Sequence, residues 1–196
     1  MTWRGQVMKR SFDILAAGVG LALLWPVIFV GWVLATHDTG ASGFFRQERI
    51  GRHGRPFRVI KLRTMRAGSG STVTTRDDPR VTPLGRRLRK WKIDELPQLW
   101  NVLMGEMSFV GPRPDVSAFA DKLEGEQREI LHLRPGITGP ATLKYRNEED
   151  ILAQVEDPEQ YNTDVIWPDK VSINYDYLRN WSFGQDLRYI LETVLR

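Results

Sequence analysis

The sequence predicts a mostly α protein with minor β: an N-terminal re-entrant membrane helix hairpin over residues 1–40 and a cytoplasmic α-rich unit over residues 41–196. Three observations predict it. Ile14 to Thr36 is a run of 23 residues without a charge, enough to cross a hydrocarbon core of about 30 Å as a helix. Pro26 falls near its middle, where it removes a backbone donor and bends a helix. The flanks are basic on both sides, with Arg4, Lys9 and Arg10 before and Arg46, Arg49, Arg52 and Arg55 after, whereas a single span carries its Lys/Arg excess on one side. A helix that enters, breaks at Trp25-Pro26 and returns to the same face accommodates all three. An ordinary Pro-kinked span and a buried soluble helix are the alternatives. A secretory signal fits poorly, because the apolar stretch is too long and no small-x-small cleavage site follows it.

Charged residues make up 27% of the 196 residues and hydrophobic ones 41%, the balance of a globular chain with a real core. The absence of cysteine excludes disulfides and thiolate metal sites. His37, His53 and His132 lack zinc-ligand spacing. The net charge of +4 conceals a division: 18 Lys/Arg stand against 8 Asp/Glu in residues 1–112, and 10 against 16 in residues 113–196. A basic front half suits phosphates, nucleic acid or an anionic membrane face, and is equally the reading for a solvated surface.

After a loop at Gly40 to Gly43, Phe44 to Met65 carries β-prone pieces around Gly51 and Gly54, the pattern of a hairpin. Its cations recur every third position, from Arg46 through Arg49, Arg52, Arg55 and Arg58 to Lys61. No strand or helix puts that spacing on one face, so it reads as a basic loop system. Gly68 to Ser71 reads as a flexible turn. Leu84 to Met104 has helical periodicity with Leu84, Leu88, Trp91, Leu99 and Leu103 as buried positions. Pro97 divides it, so a second helix begins at Asp94 as N-cap with Pro97 in its first turn and Gly105 as its stop. Val110 to Pro114 and Arg134 to Pro140 are rigid connectors, and Asp115–Leu133, Val171–Trp181 and Gln185–Leu195 are amphipathic helices.

Asp94 and Glu95 are adjacent carboxylates at a proposed helix start, close to the cations of Arg86 to Lys92. Such a pair can bind Mg²⁺ and a diphosphate together, and an ionised Asp can attack phosphorus. The plain alternative is that Asp94 caps a helix and Glu95 complements its dipole. Lys61, Arg63, Arg89, Arg113, Arg134 and Arg146 are candidate phosphate clamps, several of them beside Gly or Pro in loops. Trp91, Trp100, Trp167 and Trp181 read as interfacial anchors or as core.

Read in order, the segments Lys9-Arg-Ser-Phe-Asp13, Phe44 to Gly51, Lys61-Leu-Arg-Thr-Met65, Asp78-Pro-Arg-Val-Thr82, Leu84 to Arg89, Asp94-Glu-Leu-Pro-Gln-Leu-Trp-Asn-Val-Leu103, Gly105 to Pro114, Arg134 to Gly139 and Asn180-Trp-Ser182 closely resemble the bacterial sugar transferases, the small monotopic phosphoglycosyl transferases. The resemblance covers nearly the whole chain. It implies that Asp94 is a nucleophile, that Glu95 completes a dyad with it, and that Mg²⁺ held by Asp94 and Glu95 neutralises the diphosphate. It implies a UDP-sugar donor, a polyprenyl (undecaprenyl) phosphate acceptor, release of UMP, and membrane lipid as a partner at the cytoplasmic face of the bacterial inner membrane. It permits a homodimer. The family's helix break is often Ser-Pro where this chain has Trp25-Pro26, and many members are acidic near Asn174. Two rival classes are a nucleic-acid binder, for which no groove-reading element is present, and a non-catalytic membrane-associated scaffold of the same fold.

Overall fold

A computed structural model describes residues 2–68, 74–115, 119 and 122–195. Helix α1 spans Trp3–Thr39, capped at its start by the Thr2 hydroxyl and at its end by left-handed Gly40. It therefore begins well before the apolar run and continues unbroken through Pro26, with no loop between two arms. The residues it buries are Gly5, Lys9, Asp13, Ala17, Gly31 and Ala35, one stripe of mostly small side chains. Leu15, Val19, Leu23, Trp25, Phe29 and Val30 point outward and are exposed. A soluble core helix does the reverse. The most apolar window has a mean hydropathy of 2.3 and is only 11% buried within the protein, which removes the buried-soluble-helix alternative and is compatible with membrane association.

Both halves of α1 dock on the same globular unit. Before Pro26, Lys9 pairs with Asp186, Arg10 donates to the carbonyls of Val102 and Leu103, and Asp13 accepts from Ser108 Oγ and the Phe109 amide, each at 3.1 Å. After Pro26, Gly31 lies against Leu62, the Trp32 and Phe44 rings stack at 6.1 Å, and Thr36 Oγ1 accepts from the Gly43 amide. Lys9 and Arg10, expected as flanking charges, are thus consumed inside the protein.

The expected hairpin is present: β1 (Phe44–Ile50) pairs antiparallel with β2 (Pro56–Leu62), in a register from Phe44↔Leu62 to Ile50↔Pro56. A 3₁₀ turn at Arg52–Gly54 joins them, with His53 at φ 60. The every-third cations are therefore no loop system. Arg46, Arg49, Arg58 and Lys61 lie on the two strands and are dealt to both faces of the ribbon.

Helix α2 (Pro83–Lys90) starts at Thr82, whose hydroxyl accepts from the Gly85 amide. A Cβ on Gly85 would stand 2.1 Å from the Thr64 carbonyl, so glycine is what lets α2 meet the end of β2. The helix ends one residue before Trp91, which leaves the face shared by Leu84 and Leu88 and is 72% exposed, correcting its expected burial. A 3₁₀ turn, Ile93–Glu95, then leads into α3 (Gln98–Met104), which left-handed Gly105 stops. Asn101 staples α3 to β2: it accepts from the Ile60 amide and donates to the Arg58 carbonyl and to Glu106.

The two connectors expected to be rigid are joined by a short parallel ladder. Strand β3 (Ser108–Val110) pairs with β4 (Gly136–Thr138), extended by Gly111 donating to Thr138 and Gly136 to Pro112. A Cβ on Gly136 would meet the Gly111 nitrogen at 2.2 Å, so the backbones approach only with glycine there. Between them, of the helix expected at Asp115–Leu133, Phe119 is helical, whereas the C-terminal part is a 3₁₀ run at Gly125–His132 that opens on Gly125 at φ 53. Residues 116–118 and 120–121 of that expected helix, like 69–71 of the expected Gly/Ser turn, lie outside the described residues.

Short helices α4 (Pro140–Lys144), α5 (Glu148–Leu152) and α6 (Pro158–Tyr161) follow. A π-helical turn at Asn162–Ile166 then carries the chain into α7 (Trp167–Arg179). The last helix, α8 (Phe183–Val194), is capped by Ser182. Both long helices begin earlier than the periodicity suggested, at Trp167, with Pro168 in its first turn, and at Phe183 behind the Ser182 cap. Ala17, Val59, Val102 and Met107 form the core between α1, the hairpin and α3. Val110, Leu133 and Tyr177 form a second core under α8.

Candidate active site

Asp94 and Glu95 are carried on the 3₁₀ turn Ile93–Glu95. Asp94 is not the helix cap that its position suggested: Pro97 occupies that place, without a side-chain cap. The chain arrives through Lys92 in the left-handed region, at φ 55. That reversal turns both carboxylates inward, where each is at least nine-tenths buried.

Two elements converge on Glu95. Lys61, from β2, donates to Glu95 Oε1 at 3.0 Å. Arg113, delivered by the Val110-Gly-Pro-Arg-Pro114 segment that β4 holds, donates to the same oxygen at 3.3 Å. Burial opposes ionisation of Glu95, but Lys61, Arg113 and Lys92 outweigh it and hold the carboxyl far below the usual range. The Glu95 charge in turn raises the Arg113 pKa. Lys61 is lowered by burial and by the Arg113 charge, which Glu95 offsets in part.

Asp94 is treated differently. No hydrogen bond or ion pair reaches it among the described residues, and its Oδ1 is buried without a partner. Burial, then the Glu95 charge beside it, raise its pKa, against the pull of Lys61, Lys92 and Arg89. Arg89 is braced by Thr64 Oγ1 at 3.0 Å and by Glu149 at 2.8 Å. The two neighbouring carboxylates thus play separate parts, one neutralised by cations and one left with free lone pairs in their field.

Of the expected clamps, Lys61, Arg113 and Arg89 are gathered around the pair. Three others are elsewhere. Arg63 donates to the Ser42 carbonyl at 2.7 Å and lies over the Phe45 ring. Arg134 donates to the Gly105 carbonyl at 2.9 Å, closing the α3 C-terminus. Arg146 is exposed in the turn after α4 and makes no hydrogen bond or ion pair among the described residues. Asn174, on α7, is buried with Oδ1 unpartnered and lines a largely apolar cavity that Arg113 also borders. Lys92, Arg49 and Gln98 are additions that sequence reading did not single out as site residues. The positive φ of Lys92 had no sequence signal, and Arg49 was visible only as one of a row of cations.

An N-terminal helix with an outward apolar face, compatible with membrane association, is thus docked on a unit that presents a buried and partly free carboxylate pair amid cations. The model of the family "Bacterial sugar transferase" matches residues 4–196, and the chain belongs to that family, whose members are phosphoglycosyl transferase enzymes. It is 34% identical over 208 residues to the exopolysaccharide production protein ExoY of Rhizobium meliloti, covering 97% of this chain and 85% of that protein. It is 37% identical over 193 residues to the UDP-glucose:undecaprenyl-phosphate glucose-1-phosphate transferase of Caulobacter vibrioides, covering 95% of this chain and 68% of that one. Identity to the UDP-galactose-lipid carrier transferase of Erwinia amylovora is 32% over 205 residues, covering 95% of this chain and 39% of that protein.

Proposed function

We propose that this protein transfers a sugar-1-phosphate from a UDP-sugar to polyprenyl phosphate, releasing UMP, as the first membrane step of a bacterial glycan assembly. The observation that carries the reading is the buried, unpartnered Oδ1 of Asp94. A structural carboxylate in that position would be hydrogen-bonded; one with free lone pairs amid cations is equipped to attack a phosphorus. An Asp94 oxygen forms a bond to the sugar-bearing phosphorus, and the bond from that phosphorus to UMP breaks, its electron pair leaving on the UMP phosphate. A phosphate oxygen of the lipid then attacks the same phosphorus, the Asp94–phosphorus bond breaks, and the carboxylate is restored. Lys61 and Arg113, anchored on Glu95, are placed to balance charge on the phosphoryl oxygens without moving.

The residues suit Mg²⁺. Asp94 and Glu95 are adjacent carboxylates, and Mg²⁺ typically takes one or two carboxylates together with substrate phosphates. Asp94 and the Glu95 oxygen not used by Lys61 and Arg113 would hold it. When bound, it would neutralise diphosphate charge. Purified protein in detergent with undecaprenyl phosphate, a panel of UDP-sugars and Mg²⁺ should release UMP with at least one donor, and excess EDTA should stop it. No UMP from any donor would remove the reading in favour of a non-catalytic scaffold. Full activity in EDTA would remove the metal.

A lipid acceptor and a soluble nucleotide donor call for a site at the membrane surface, and in this reading that surface is the cytoplasmic face of the inner membrane. The docking of α1 on one unit both before and after Pro26 supports a bent, re-entrant helix, since a straight span would carry one half away from that unit. Arg4 and Arg46 are both exposed, and the chain has no cysteine. Arg4→Cys and Arg46→Cys should therefore both resist a membrane-impermeant thiol reagent in intact cells and both react once the inner membrane is opened. Labelling of one alone in intact cells would establish a span.

A further inference from the structure

Apart from the carboxylate pair, three guanidiniums close a ring where the hairpin tip meets the start of α1 and the end of α3. Arg52, in the turn between β1 and β2, donates from Nε to the His132 carbonyl at 2.8 Å and reaches Gln6 Oε1 at 3.3 Å. Gln6 lies one helical turn before Arg10 on the same face of α1. Arg10 donates to the Val102 and Leu103 carbonyls at 2.6 and 2.9 Å. Arg134 follows His132 closely in the chain and donates from Nε to the Gly105 carbonyl at 2.9 Å. Arg10 and Arg134 therefore hold the same helix end, and the circuit returns to Arg52.

No carboxylate completes this ring. Every acceptor in it is a neutral carbonyl or carboxamide, and Arg10, Arg52 and Arg134 form no ion pair among the described residues. Burial, then the Arg52 and Arg10 charges, weaken the hold of Arg134 on its proton, and Asp13 opposes them. Asp13 Oδ1 is already taken by Ser108 and the Phe109 amide. Glu106, beside Gly105, accepts from Asn101 at 2.7 Å. All three arginines are half-buried, and Arg134 commits only its Nε. Terminal N–H groups therefore remain for an oxyanion from outside, which would also relieve the repulsion among like charges.

The position of the ring along α1 selects the anion. Arg10 precedes Ile14, the start of the charge-free run, by a rise of about 6 Å. That matches the headgroup layer, which adds roughly 5–8 Å to each side of the hydrocarbon core. Val7, next to Gln6, and Met104, between Leu103 and Gly105, are exposed apolar side chains flanking the ring, suited to dip toward acyl chains. We propose that this ring is the headgroup site of one anionic phospholipid, held as a structural lipid and not as a substrate. Arg52 and Arg134 bind its phosphate oxygens directly, and Arg10 adds its charge. The inference rests on the reading of the apolar run of α1 as membrane-embedded. A phosphatidylglycerol-type lipid meets the chemistry: its phosphodiester supplies the missing negative charge, and its chains can lie along the exposed face of α1 at Leu15 and Val19. The bound headgroup would join α1, the hairpin tip and the end of α3.

The test is native mass spectrometry of the full chain in mild detergent, titrated with lipid. One phosphatidylglycerol should bind per chain in preference to phosphatidylcholine, and neither inorganic phosphate nor glycerophosphoglycerol, the headgroup without chains, should displace it. Arg52→Gln should weaken that binding about 10-fold, the effect of losing one charge-assisted contact, and adding Arg134→Lys should weaken it further. Arg52→Lys, which keeps the charge but not the fork, should fall between and serves if the Gln variant does not fold. Arg46→Gln removes an equal, exposed charge roughly 20 Å away along the hairpin and should leave binding unchanged. Equal losses in Arg52→Gln and Arg46→Gln would reduce the effect to diffuse surface attraction and overturn the site. So would the absence of any bound phosphatidylglycerol, or a preference for undecaprenyl phosphate at equal concentration. Flotation with phosphatidylglycerol vesicles separates the two readings: a chain that floats but holds no lipid loses only this site, whereas one that fails to float loses the membrane reading of α1 and the site with it.

Discussion

Asp94→Asn is expected to lower turnover by about 10³-fold or more, as loss of a nucleophile does, while the fold stays intact or gains stability. The second half of that expectation comes from the surroundings of the carboxylate. Asp94 accepts no hydrogen bond among the described residues, so an amide there loses no partner. Its pKa is raised by burial and by Glu95, so the ionised form is less comfortable in the folded state than in the unfolded one. With a folded pKa above the unfolded value of 3.8, the ionised carboxylate costs stability at neutral pH. That cost disappears as pH falls through the raised value and below the unfolded one. The variant should therefore melt at or above the wild-type temperature at pH 7, and the two should converge in acid. A variant clearly less stable at pH 7 would mean that Asp94 has a structural partner.

The largest effect on stability is expected at Asp186. This buried carboxylate accepts from Lys9 on α1, from Tyr177 at 2.6 Å and from Trp181 at 3.0 Å. It ties the N-terminal half of α1 to α7 and α8. Asp186→Ala strands the Lys9 ammonium, itself buried, and should cost about 3–5 kcal/mol. In a chain of this size that lowers the melting temperature by roughly 10 °C or more. Lys9→Met should cost less, because Tyr177 and Trp181 still satisfy the carboxylate. Combining Lys9→Met with Asp186→Leu should recover much of the loss, since an apolar pair replaces a buried ion pair at little net cost. A double variant as unstable as Asp186→Ala would mean that the hydrogen bonds to Tyr177 and Trp181, rather than the stranded charge, dominate.

What could be read from the sequence followed from the strength of the local signal. The hairpin was legible because β-prone residues bracket Gly51 and Gly54, and the outward apolar face of α1 follows from its uncharged run. The turn carrying Asp94 was placed near Pro97, but its conformation was not legible: Pro97 marks a helix start without saying whether a cap or a 3₁₀ turn precedes it. The β3–β4 ladder escaped because three-residue strands have no alternation to detect, and with it went the reason Arg113 reaches Glu95. Arg63, Arg134 and Arg146 resembled phosphate clamps by residue type and loop position. Their carbonyl contacts and exposure depend on tertiary approach. Arg49 was the converse case, since a cation every third residue has no face until strand register assigns one.

The central claim is a covalent phosphosugar on Asp94, and intact-protein mass measurement tests it most directly. Wild-type protein incubated with its UDP-sugar and Mg²⁺, without acceptor, should gain the mass of one phosphosugar, mapped by fragmentation to Asp94, with UMP released in equal amount. Adding polyprenyl phosphate should remove that mass, and Asp94→Asn should never acquire it. Turnover with no adduct under any acceptor-free condition, or an equal adduct on the Asp94→Asn protein, would contradict the mechanism.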